Sequence, residues 1–180
     1  LNIMPGRIDP SLVGEVSAPV PPRTGRERVL VLGVGNLLMG DEGVGVHVLR
    51  RLEQEPAIPG VRLLDGGTGG INLLLEFEGV RHVVLVDATR DGQPAGAITF
   101  LRPHGVGDLP RGLGAHDFGL KDLFSATALL GALPSVHLCT ISVEELRPMC
   151  MELSAAVAAA VPETVRATRA LAARLAAESG

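Results

Sequence analysis

Three side chains in this sequence, far apart in order, are of types that together could hold a metal: Glu42, Asp87 and His116. Two carboxylates and an imidazole form a donor set suited to a borderline divalent ion such as Ni²⁺, Zn²⁺ or Mn²⁺. Such a set leaves coordination positions open for water or substrate. Each residue also has an ordinary structural reading. Glu42, with Asp41 before it, can be a first-turn solubiliser behind an Asp41 N-cap, Asp87 a turn former, and His116 a helix cap. What separates the two readings is whether the fold delivers all three to one crevice.

Glu42 sits in VLVLGVGNLLMGDEGVGVHV, residues 29–48, around which the rest of the chain is organised. Val29–Leu32 is a continuous apolar run, as expected of a strand buried on both faces. Gly33, Gly35 and Gly40 punctuate a tight turn, and helical spacing begins with Val44, Val48, Leu49 and Leu52. Strand, glycine-rich turn and helix in this order commonly cradle phosphate on backbone N–H groups. Here the details oppose it. The dinucleotide fingerprint would need a third glycine where Leu38 stands. A Walker A loop would need lysine and a hydroxyl where Asp41 and Glu42 stand. Two carboxylates at that position repel a phosphate by about 1 kcal/mol or more even when screened. They favour a cation.

Further along, Val61–Leu64 reads as a short strand running into Asp65-Gly66-Gly67-Thr68-Gly69-Gly70, where four glycines in six residues predict a sharply turning loop. The first helix is expected to end near Glu55, before Pro56. A second begins at Ile71 and carries Leu74, Leu75 and Phe77. His82–Val86 is another buried strand, ending in Asp87, and residues 96–101 read as an edge strand. Residues 103–114 form a Gly- and Pro-rich loop ahead of His116 and a helix containing Leu120, Leu123, Phe124, Thr127 and Leu130. Pro134 ends that helix and residues 136–143 are the last strand. From about Leu153 the chain is an Ala-rich amphipathic helix, with Pro162 marking a break or the first turn of another helix.

Strands alternating with helices imply an α/β fold: a three-layer α/β/α arrangement, phosphorylase/hydrolase-like, around a twisted, mostly parallel sheet of about five strands. Ligands of such sheets bind beyond the carboxyl ends of the strands. The first strand leads to Asp41 and Glu42, the second to Asp65 and the third to Asp87. His116, preceding a helix, is expected at the same edge.

Composition narrows the function. The 180 residues carry a net charge of −4 without a basic tract, and contain no Trp or Tyr and only four Phe, so no aromatic platform for stacking bases and no nucleic-acid binding are expected. No run reaches the roughly 18 apolar residues of a membrane span. Residues 1–27 lack a secretory apolar segment and read as a flexible tail before a single domain over 28–180. Cys139 and Cys150 suggest neither a disulfide framework nor a zinc site, and a monomeric cytoplasmic protein is expected. The nucleophile elbow and the HExxH metalloprotease motif are absent.

The ordered set LGVGNLLMGDEGVGVHV, LLDGGTGG, VLVDA and AHDFGLKD resembles the [NiFe]-hydrogenase maturation endopeptidases over roughly residues 28–178. The resemblance implies metal binding by Glu42, Asp87 and His116. It also implies a role for the Asp65-Gly66-Gly67-Thr68 loop in substrate recognition or cleavage, with Asp65 as a further catalytic candidate. The implied activity is an endopeptidase of the aspartyl-type class that removes the C-terminal extension of a hydrogenase large-subunit precursor. Nickel supplied by that substrate would be the recognition element. Relatives often place Ser or Thr shortly before the histidine, whereas Gly114-Ala115 stand here. A non-catalytic nickel-binding or delivery protein would use the same ligands, and ranks second because it usually carries His-rich tracts. A nucleotide-binding enzyme ranks third.

Overall fold

The computed structural model describes residues 28–103, 106–108, 117–129 and 134–179. Its centre is a five-stranded sheet in the order β2-β1-β3-β5-β4. The strands are β1 (Val29–Val34), β2 (Val61–Gly67), β3 (His82–Thr89), β4 (Ile98–Leu101) and β5 (Ser135–Ser142). β2, β1, β3 and β5 run parallel, and β4 closes one edge antiparallel to β5. The expected fold class and the edge position of β4 are those observed.

Side-chain alternation divides the core into two layers. Val29, Val31, Val84, Val86, Cys139 and Ile141 face α1 (Val44–Leu52) and α3 (Ala155–Glu178). Leu30, Leu32, Val83, Leu85 and Leu138 face Phe77 and the α2 helix (Asp117–Leu129), through Leu123 and Phe124. A fully buried Leu or Val is stabilised by about 1.5–3 kcal/mol relative to exposure. A one-residue slip of β3 would turn Asp87 into the aliphatic α1/α3 layer, so the register is strongly specified.

Several expected boundaries are corrected. β2 continues to Gly67, because Asp65 pairs with Gly33, and Gly67 with Val34 across a bulge. β3 continues past Asp87 to Thr89, paired throughout with β5. Ile71–Phe77 forms a 3₁₀ helix, not an α-helix, clamped to β2 by Arg62, which donates to the Glu76 carboxylate and carbonyl at 2.6 Å each. α1 ends at Leu52, three residues short of Glu55. Pro162 neither breaks nor starts a helix: α3 runs through it. Pro162 lies on the exposed side, where water can take the carbonyl that its missing N–H leaves over. Among the described residues no helix is long and apolar enough to cross a membrane. The proposed tail, residues 1–27, lies outside the described residues.

Candidate functional site

Chain order along the sheet reverses at β1: the chain goes from β1 to β2 on one side, then returns to β3 on the other. The carboxyl ends of β1 and β3 therefore flank the switch point at which doubly wound sheets bind ligands. Glu42 follows β1, in a 3₁₀ turn (Gly40–Gly43) that leads into α1 and packs against β3. Asp87 belongs to β3 itself.

Glycines bring the backbones this close. A Cβ at Gly45 would lie 2.3 Å from the carbonyl oxygens of both Val34 and Val86, so the start of α1 straddles the ends of β1 and β3. Gly35, at φ +142°, would place a Cβ 2.0 Å from the Glu42 carbonyl. The glycine-rich turn thus seats the Glu42 turn against the sheet edge.

Glu42 and Asp87 are both 0% exposed. The solubiliser reading of Glu42 is corrected by that burial. Asp41 is no N-cap of its own turn, whose N-cap is Met39 without a side-chain bond. Its Oδ1 instead accepts the backbone N–H of Ser154 at 2.6 Å, fixing the start of α3. The two adjacent acids have separate tasks. Asp87 Oδ1 accepts the Ala88 N–H at 2.7 Å, which orients its carboxylate. Asp65 is exposed at the end of β2, and its Oδ1 accepts the Gly67 N–H at 2.8 Å in a local turn. Gly67 in turn links β2 to the glycine-rich turn, its carbonyl accepting the Gly35 N–H at 2.8 Å.

His116 lies outside the described residues, and α2 begins at the next position. Among the described residues no three His, Cys, Asp or Glu side chains gather as a metal group. The described part of the candidate set is thus the Glu42–Asp87 pair of buried carboxylates. An ionised carboxylate is costly to bury without a compensating cation or hydrogen bonds, and the donor chemistry suits a divalent ion.

Sequence reasoning passed over the hydroxyls beside Asp87. Thr140 pairs with Asp87 and Ser142 with Thr89, and all four are buried. Counting by twos from Leu85 and Leu138 puts them on the α2 face, so that face is aliphatic through its middle and polar at its carboxyl end. The alternation in residues 136–143 held that signal.

The cysteines and the other histidines have separate settings. Cys139 is fully buried, and burial pushes its thiol up to about 12, consistent with a packing role. Cys150 Sγ lies 3.4 Å from the Glu152 carboxylate. His82 and His137 meet at the opposite, amino edge of the sheet, their rings tilted by 44° with centroids 5.7 Å apart. His47 is on α1, and His104 is outside the described residues.

A family model described as hydrogenase maturation protease (HycI) matches residues 46–170, more than half of the chain. The chain belongs to the hydrogenase maturation protease family. The match contains Asp65, Asp87 and His116 and begins four residues after Glu42. The hydrogenase expression/formation protein HupD of Rhodobacter capsulatus is 38% identical over 155 residues, 80% of this chain and 72% of the relative. The hydrogenase 2 maturation protease of Escherichia coli is 38% identical over 125 residues, 67% of this chain and 76% of the relative. Among solved structures, the hydrogenase maturating endopeptidase HybD from E. coli superposes with a TM-score of 0.74 at 32% identity, covering 80% of this chain and 91% of that one. The [NiFe] hydrogenase maturation protease HybD from Thermococcus kodakarensis gives 0.68 at 30%, covering 81% and 99%. The hydrogenase maturation proteases are hydrolases, so this α/β domain is placed among peptide-cleaving enzymes.

Proposed function

We propose that this protein is the endopeptidase that removes the C-terminal extension of a nickel-loaded [NiFe]-hydrogenase large-subunit precursor. The nickel arrives as part of the substrate. The observation that carries the reading is the pair of fully buried carboxylates, Glu42 and Asp87, flanking the β1/β3 switch point. Together with His116 they would grip the substrate's metal beside the bond to be cut. A divalent cation at that position supplies polarisation of a peptide carbonyl. The chain's own contribution is placement. The glycine turn fixes Glu42, the Ala88 N–H orients Asp87, and the buried surroundings strengthen their attraction for positive charge. Asp65, on the neighbouring strand end, is the proposed group that meets the peptide or takes a proton from the attacking water. The reading implies a cytoplasmic protein acting as a monomer on a folded precursor.

The test is incubation of nickel-loaded precursor with the protein and with Glu42→Gln. Wild type should shorten the precursor. The amide, a much poorer metal ligand, should lower processing on the order of 100-fold, or about 3 kcal/mol, with urea unfolding little changed. Full processing by a stably folded Glu42→Gln protein would contradict the reading. Nickel-dependent association without cleavage by wild type would instead identify a delivery protein.

A further inference from the structure

Seven large apolar side chains are exposed among the described residues, and three of them, Leu38, Met149 and Met151, gather on one rim of the candidate site. The loop after β5 is tied there to the glycine-rich turn. Met39 and Cys150 form an isolated parallel bridge, Gly40 N–H donates to the Cys150 carbonyl at 2.7 Å, and Arg147 N–H donates to the Met39 carbonyl. Parallel register across that bridge sets Leu38 beside Met149, and Met151 beside Gly40. Leu38 stands four residues before Glu42 in the same turn. Met149 is 86% exposed, Met151 51% and Leu38 49%. Met149 is also the only non-glycine residue among the described ones at positive φ, 58°. A strained backbone that holds a methionine out into water costs stability and calls for a reason outside the fold.

We propose that Leu38, Met149 and Met151 form an apolar docking rim for the precursor polypeptide, receiving apolar side chains within a few residues of the bond that is cut. The inference rests on the protease reading above. Its occupant follows from continuity with the carboxylate pair. A polypeptide whose scissile bond reaches Glu42 and Asp87 must cross the carboxyl edge of the sheet, and among the described residues this is the part of that edge where exposed large apolar side chains cluster. The other adjacent exposed pair, Phe100 and Leu101, belongs to edge strand β4, where Leu101 pairs with Leu138 toward the amino end of β5. Unbranched, polarisable thioethers adapt to varied apolar partners, which suits a surface that must accept a segment and release it after cleavage.

The experiment uses the full chain and nickel-loaded precursor, reading both binding and cleavage. The triple variant Leu38→Gln, Met149→Gln, Met151→Gln should raise KM, and Kd for the precursor, by about tenfold or more, with kcat within about twofold. Met149→Gly separates recognition from folding. Glycine relaxes the positive φ, so Tm should hold or rise while KM increases, and Met149→Leu should restore KM. Unchanged KM and Kd in the triple variant, with wild-type cleavage intact, would overturn the docking rim and leave the protease reading standing. Nickel-dependent binding by wild type without cleavage, still weakened by the triple variant, would sink the protease reading and keep the rim. If removing residues 1–27 tightened precursor binding in wild type but not in the triple variant, the rim would be reassigned to the chain's own N-terminal segment.

Discussion

The two ends of strands β3 and β5 hold opposite electrostatic arrangements. At the carboxyl end, Asp87 is buried with Thr89, Thr140 and Ser142 on paired strands, and Glu42 is buried in the turn after β1. At the amino end, His82 and His137 meet at a tilt near Arg81, Arg102 and Arg174. Burial, then the guanidinium of Arg102, hold both imidazoles below their usual range, while Glu178 acts the other way. His137 and Arg174 also line an open cavity of about 580 Å³ with Phe100 and Arg102. One end gathers carboxylates and hydroxyls, the other imidazoles and guanidinium groups with Glu178 among them. Imidazole, the commonest metal ligand among side chains, is paired at the amino end, so residue type alone does not single out the candidate site. What distinguishes the carboxyl end is topology: the chain leaves β1 there toward the α1 face and leaves β3 toward the α2 face, opening a crevice between the two strands.

The largest expected effect tests that asymmetry directly. Asp87→Asn should reduce precursor processing on the order of 100-fold or more, whereas His137→Gln should leave it within about twofold. Equal losses from both would erase the distinction between the ends. Next comes the close approach that builds the carboxyl end. Gly45→Ala forces a methyl group against two carbonyl oxygens, which overpacking data put at about 1–3 kcal/mol or more of lost stability. Urea unfolding should show it. A neutral outcome would mean that α1 can lift off the strand ends, and that the Glu42 position is not fixed by the glycines.

The smallest effect belongs to the amino end and concerns pH. Both histidines titrate below 6.5 in the folded state, so as pH falls through 6.5 the unfolded chain takes up protons that the folded one refuses. Stability is full above that value and declines between it and the lower folded values. The change should be modest for these partly accessible rings, about 2 °C or less in Tm. The His82→Asn, His137→Gln double variant should flatten the slope between pH 7 and 5. An unchanged slope would assign it to other groups.

Strand content was legible in the sequence because β1 and most of β3 are continuous apolar runs and β5 is rich in β-branched and apolar residues. The fold class and the delivery of Glu42 and Asp87 to one edge follow from those runs and the reversal of strand order. Boundaries at the site were not legible, for a physical reason. Asp65 and Gly67 have poor strand propensity, yet pair with β1, with Gly66 bulged between them, because the neighbouring strand is already in place. Asp87 similarly looked like a strand end, although Ala88 and Thr89 continue the ladder to β5. Pro162 gave the wrong signal because local chemistry cannot say which side of α3 meets water. The separate tasks of Asp41 and Glu42 were invisible for a simpler reason: the partner of Asp41 lies 113 positions away.

That long tie has a consequence for how the protein is made. The carboxylate of Asp41 leaves the ribosome soon after β1 and before the other four strands, but the amide it holds belongs to Ser154, which follows every strand of the sheet. β5, which pairs with Asp87 and Thr89, also arrives late. During synthesis, β1 and its turn exist long before the partners that set the direction of the adjacent acids. The crevice can close only after the last strand has been inserted and α3 has begun to dock. A nascent chain therefore displays its adjacent acids in an unformed setting, and their separate placements wait for the nearly finished polypeptide.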